Sequence, residues 1–193
     1  MSITKTTKGL LGKKLGVPVS TLLGGALTSR VPSYYSVTIH DPDETARIAK
    51  EKVKQGYKRL QIKLGGRPVE EDIESVQKVW EAVGYDARLA ADGNRGFTTV
   101  HAMTLDRQCA NVPFILEQPC NTMGEVAADK GRLVHPVYLD ENTEDLNAVL
   151  TAIGAGIADG FGFKVTRLGG LSKIAIARDM CALRSLPHTC DDG

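Results

Sequence analysis

The sequence predicts an α/β fold built from repeated βα units, and three observations carry that expectation. From residue 31 onward, short β-rich runs alternate with longer helical ones at a period of about 25 residues, the mark of parallel strands joined by helices. Seven such strands can be counted before residue 193, without an eighth, whereas a closed barrel of eight units needs about 250 residues. Residues 1 to 30 stand outside the repeat. The expected architecture is therefore an incomplete (β/α)8 TIM-type barrel of about seven βα strands over residues 31–193. Residues 1–30 precede it as a remnant that reads like a linker from another domain.

Each element has a local reason. In the leader, KGLLGKKLG reads as a short helix stopped by Gly16, and VPVSTLLGG as an apolar turn. The first strand is VPSYYSVTI (31–39). Asp41-Pro42-Asp43-Glu44 then supplies an N-cap and an acidic first turn for a helix running to Lys54. RLQIKLG is the second strand. Pro68 opens the next helix, in which Ile73, Val76, Val79, Trp80 and Val83 recur at helical spacing. ARLAADGN precedes a helix from about Thr98 to Cys109, and PFILEQP one from about Met123 to Ala128. PVYLDEN leads to a helix near Glu144 to Ala152. GFGFKVTRLGG leads to LSKIAIARDMCALRS, and PHTC is the seventh strand.

Composition narrows the function classes. The chain has 193 residues, 42% of them hydrophobic, enough for one substantial core. Lys and Arg number 24 against 23 Asp and Glu, a net charge of +1, which offers no one-signed field to nucleic acid or to an anionic membrane. There is no apolar stretch of roughly 18 residues to span a bilayer, and the start lacks the apolar core of a secretory signal, so a cytoplasmic protein is expected. Cys109, Cys120, Cys181 and Cys190 show no metal-binding spacing and suit reduced thiols packed as small hydrophobes.

The residues that could carry chemistry share a position. Lys63, Asp92, Glu117, Asp140 and Lys164 each fall at or just past the C-terminal end of a successive strand, the end at which barrel enzymes assemble their sites. Three carboxylates supply the hard oxygen ligands that Mg²⁺ prefers, and without a cation they would repel one another. A lone acid at a strand end is usually solvated loop; three in register are not. A lysine emerging from a buried strand beside other cations becomes a usable proton acceptor. Strands two and six face each other across a barrel, so Lys63 and Lys164 would approach from opposite sides.

Adjacent strand residues point to opposite faces, so of Asp140 and Glu141 only one can meet the metal squarely, and Asp140 is the choice. Gln61, Asn94, Glu141 and Asp191 are weaker candidates for substrate contacts or for supporting positions. The histidines His40, His101, His135 and His188 lack a ligating spacing and read mostly as surface or turn residues. His188 is the exception to watch, on the seventh strand beside Asp191 and Asp192 at the presumed active face, with a structural role as the first reading. Gly65-Gly66 and Gly169-Gly170 lack a nucleotide-binding spacing and read as turns.

Assembled, KLGG, ADGN, LEQP, LDEN and FKVTRLGG resemble the motif set of the mandelate racemase and muconate lactonizing branch of the enolase superfamily, over about Lys8 to Asp192. Within it, GYKRLQIKLGGRPVE, LAADGNRGFTT, EQPCN and LPHTCDD are most similar to hydroxyproline-betaine (proline betaine) 2-epimerases. The resemblance implies an isomerase in which Mg²⁺ and a lysine stabilise the enediolate left when the proton α to a carboxylate is removed. In a racemase-type site one lysine takes that proton and the other returns one to the opposite face. A betaine substrate would add a quaternary ammonium that favours aromatic faces. The implied partner is a small-molecule carboxylate, and a homo-oligomer is expected.

The sequence departs from the family at three places. The capping domain is expected to survive only as the leader, the eighth strand and the segment after it are absent, and the family's Lys-x-Lys reads Gln61-Ile62-Lys63. Two other functions therefore stay open: a dehydratase of the cis-3-hydroxyproline type, sharing the first proton abstraction, and a catalytically inactive truncated fragment.

Overall fold

The computed structural model describes residues 3–26 and 28–191, with the side chains of residues 3–6 and 191 outside that description. Asp192 also lies outside it. The chain opens with helix α1 (Ile3–Leu15), longer than the short helix expected there, and a 3₁₀ turn at Thr21–Leu23. Two compact units then emerge, residues 32–141 and residues 1–31 together with 142–193.

The first unit alternates β1 (Tyr35–Val37), α2 (Pro42–Lys54), β2 (Arg59–Lys63), α3 (Val69–Val83), β3 (Arg88–Asp92), α4 (Thr99–Gln108), β4 (Phe114–Glu117), α5 (Met123–Lys130) and β5 (Val137–Leu139). The five strands pair in sequence order and all pairs are parallel. Pleating sends alternate side chains to opposite faces. Leu60, Ile62, Leu89, Ala91, Phe114 and Leu116 thus share one face and are buried with Val76, Val79, Ala102 and Leu105 of the helices. Gln61, Lys63, Ala90, Asp92, Ile115 and Glu117 take the other. The same alternation that builds the core therefore leaves the polar strand ends together.

Caps set the helix starts. Asp41 Oδ1 accepts the Glu44 amide at 3.0 Å, as the sequence predicts. Thr98 Oγ1 accepts that of His101, and Thr122 forms a capping box with Glu125. The first strand is shorter than VPSYYSVTI, and α5 runs two residues beyond Ala128.

The second unit holds α6 (Leu146–Gly154), β6 (Gly160–Lys164), a single helical turn α7 (Val165–Leu168), α8 (Leu171–Leu183) and β7 (His188–Asp191), with β6 and β7 parallel. The turn α7 replaces what the sequence suggested as a continuous strand, because Gly169, at φ 83°, donates its amide back to Val165 O. The leader packs here, α1 against α8, and Arg178 Nη1 donates to Leu23 O at 3.1 Å. Cys109, Cys120 and Cys181 are buried as small apolar groups, whereas Cys190 is exposed on β7. Among the described residues no helix is long and apolar enough to cross a membrane.

The loop after β2 is braced by a buried carboxylate. Asp72 accepts the Gly65 amide at 2.8 Å and Arg67 Nε at 2.6 Å, while Arg67 also donates to Ser75 Oγ and to the His40 carbonyl. Removing one partner strands a buried charge. Asp72→Ala is expected to destabilise the chain by roughly 3–5 kcal/mol, read as a lowered urea midpoint; a midpoint unchanged from wild type would show that the brace does not matter.

Candidate active site

The site begins as one row of the ladder in residues 32–141. Lys63 registers with Asp92, and Asp92 with Glu117, so the last residues of β2, β3 and β4 stand side by side on one face. Lys63 Nζ lies 2.5 Å from Asp92 Oδ2. One pleat back, Gln61 registers with Ala90, whose methyl leaves the Gln61 carboxamide room to cross β3 and donate to Glu117 Oε2 at 2.8 Å. Asp92, Glu117 and Asp140 are all buried, at 0%, 2% and 1% exposure, while the Lys63 side chain keeps 27%.

Tight turns finish these strands. Asn94, Arg95 and Gln118 have positive φ of 44°, 69° and 34°, a region that costs a non-glycine residue energy and persists only where neighbours enforce it. Enforcement is visible: the Asn94 amide donates to Asp92 Oδ1, the Arg95 amide to Gln118 O, and the Gly96 amide to Gly93 O at 2.7 Å. A Cβ on Gly96 would meet that Gly93 oxygen at 2.8 Å, so only glycine fits. Asn94 Nδ2 donates to Glu141 Oε1 at 2.9 Å, and Arg95 to the Glu141 carbonyl. The turn after β3 thereby holds the residue that follows Asp140.

Burial governs the electrostatics here. Burial holds the Asp92 carboxyl above its ordinary range, outweighing the attraction of Lys63 and the Asn94 amide. Glu141 Oε2 is buried without a hydrogen-bond partner. Among the described residues no three Asp, Glu, His or Cys side chains converge as metal ligands in this arrangement, because Asp92 turns to Lys63 and Asn94 while Glu117 turns to Gln61. A cavity of about 450 Å³ adjoins Lys63, walled by Thr38, Ile39, Asn94 and glycine backbone.

In the second unit Lys164 ends β6 in register with Asp191, a partially buried strand-end lysine like Lys63. His188 on β7 has Nδ1 at 3.4 Å from Leu186 O and its ring 5.9 Å from that of Phe163, a packed structural residue.

Three buried or strained residues are not legible as such from the sequence. Gln118 and Arg95 look like ordinary turn residues until their partners are seen. His135, expected at the surface or in a turn, is instead buried, stacked on Phe114 at 3.7 Å, with Nδ1 2.7 Å from Asp106 and Nε2 2.8 Å from Val112 O. Apolar neighbours on both sides of a lone histidine were its one available hint.

The model of the family described as enolase C-terminal domain-like matches residues 44–193. The chain is 31% identical over 183 residues to a cis-3-hydroxy-L-proline dehydratase of Roseibium aggregatum, covering 95% of this chain and 50% of that protein. It is 28% identical over 167 residues to an N-succinyl-L-Arg/Lys racemase of Bacillus cereus, covering 84% and 45%. Among solved structures, an enolase-superfamily member from Roseovarius nubinhibens complexed with magnesium superposes with a TM-score of 0.87 at 28% identity, over 94% of this chain and 49% of that one. The chain spans about half the length of the curated relatives it matches.

The bond from Gln61 to a buried carboxylate has a measurable worth. Gln61→Leu, of similar size, removes a donor from Glu117 and is expected to cost about 1.5–3 kcal/mol in chemical denaturation. A loss below about 0.5 kcal/mol would place this contact among neutral surface bonds.

Proposed function

The chain belongs to the enolase C-terminal domain-like family, and on that premise we propose that it serves Mg²⁺-assisted removal of the proton α to a carboxylate, with lysine as the base. The observation that carries this reading is the row Lys63, Asp92 and Glu117 at three successive strand ends, a lysine beside two buried carboxylates. In chemical type the donors suit the metal: hard oxygens from Asp92, Glu117 and Asp140, a carboxyl at Asp92 raised by burial, and a buried Glu141 oxygen without a hydrogen-bond partner. Asp92, Glu117 and Asp140 would hold it. Bound there, Mg²⁺ supplies charge that stabilises the negative charge developing on the substrate carboxylate.

The chain's own residues do the rest. Lys63 Nζ, as the free amine, accepts the α-proton, and the ammonium so formed is stabilised by its bond to Asp92 Oδ2. Gln61 keeps Glu117 oriented, and Asn94 keeps Glu141. In the epimerase reading, protonated Lys164 delivers a proton to the opposite face of the same carbon, inverting it. Support for Lys164 is its matching place at the end of β6 and the resemblance of FKVTRLGG. Hydroxyproline betaine or proline betaine is the proposed substrate, on the resemblance of the GYKRLQIKLGG and EQPCN segments.

A second reading is favoured by the 31% identity to a cis-3-hydroxy-L-proline dehydratase. There the same α-proton is lost and the β-hydroxyl then leaves as water, so that one carbon–carbon double bond replaces a C–H and a C–O bond. The first step is shared; the fate of the β-hydroxyl separates the two.

Incubation in D₂O with Mg²⁺, followed by NMR, tests both. Deuterium at Cα with inversion of proline betaine or hydroxyproline betaine supports epimerisation, and loss of water from 3-hydroxyproline supports dehydration. Lys63→Ala and Lys164→Ala are each expected to lower exchange by about 10²–10⁴-fold; undiminished exchange from both enantiomers would overturn the two-lysine scheme. Mg²⁺ affinity, followed by the metal-dependent rise in melting temperature, is expected to collapse in Asp92→Asn, Glu117→Gln and Asp140→Asn. Affinity that survives all three would remove the metal site. A folded, Mg²⁺-binding chain that exchanges none of these substrates would point to the inactive form.

A further inference from the structure

Gln118 takes no part in proton transfer, yet it is among the most constrained residues of the chain. It is fully buried, follows Glu117 directly, and holds φ at 34°. Its backbone is locked on both sides: the amide donates to Tyr138 O at 2.8 Å and the carbonyl accepts from the Arg95 amide at 2.9 Å. Its side chain is used at both ends. Oε1 accepts the Asp140 amide at 3.0 Å and Nε2 donates to Cys120 O at 3.0 Å. One end meets a donor and the other an acceptor, so the partners themselves define which end is oxygen.

The register explains why a side chain is needed. β4 and β5 pair as Leu116 with Val137 and Glu117 with Tyr138, and β5 ends at Leu139. The Asp140 amide is therefore past the end of its strand, buried, and must still find an acceptor. We infer that Gln118 is a positioning residue for Asp140, its carboxamide extending the β4–β5 ladder by one rung and fixing the backbone that carries the Asp140 carboxylate. A positive φ in a buried glutamine is the cost of turning that carboxamide toward β5. That Asp140 then serves a cation rests on the function proposed above; the clamp itself does not.

The test reads the clamp without the metal and then with it. In the metal-free chain, Gln118→Met keeps length and burial but removes the acceptor. Hydrogen exchange by NMR should show the Asp140 amide opening about tenfold faster, while the Leu64 and Gly93 amides, bonded to Asp92 O and Glu117 O, keep their rates. Gln118→Glu retains an acceptor oxygen and should leave Asp140 protected. An unchanged Asp140 rate in Gln118→Met, or equal acceleration of all three amides, overturns the inference. Should Gln118→Met not fold, Gln118→Glu decides, and loss of Asp140 protection in it is the overturning result. Mn²⁺ binding, measured by electron paramagnetic resonance, should weaken about 10–100-fold in Gln118→Met. If wild type binds no Mn²⁺ while the Asp140 amide responds as expected, the positioning role stands and the metal reading falls.

Discussion

Carboxylates withdrawn from water must be compensated, and the loops of residues 32–141 are organised around that requirement. Asp92 meets Lys63 Nζ and its own turn's amide, Glu117 meets the Gln61 carboxamide, and Asp140 sits on a backbone held by Gln118. Compensation stays partial, as the raised Asp92 carboxyl and the unpartnered Glu141 oxygen show. A protein built only for stability would gain by replacing such a cluster with apolar side chains. Retaining it where strand ends meet is the physical argument for chemistry there.

The same device, a buried acid gathering backbone donors, recurs as scaffolding. Asp72 ties the loop after β2 to α3 through Gly65 and Arg67, and so braces the segment that follows Lys63. Asp106 on α4 accepts the Val134 and His135 amides and the His135 ring, bracing the entry to β5. In both braces the acid gathers backbone amides together with one side-chain partner, Arg67 for Asp72 and the His135 ring for Asp106.

Much of the fold was legible because its signals are local. Asp41 before Pro42, the helical spacing of Val76, Val79 and Val83, and Gly56 after α2 each act within a few residues. One boundary differs at α7, where the Gly169 amide bonds back to Val165 O and closes a helical turn just past Lys164. His135 lies in the turn before β5 but is buried, and a lone histidine there gives no sign of an acid 29 residues earlier.

By itself the sequence determined the alternation of strand and helix, the acids and lysines at strand ends, and the family, since periodicity and motif are one-dimensional properties. Tertiary structure alone decided the pairing of donors and acceptors. Gln61 reaches Glu117 across 56 residues, Asn94 reaches Glu141 across 47, and Gln118 reaches Asp140 across 22. Such partners are chosen by strand register and by the direction in which each turn aims its carboxamide. Neither is set until neighbouring strands have paired.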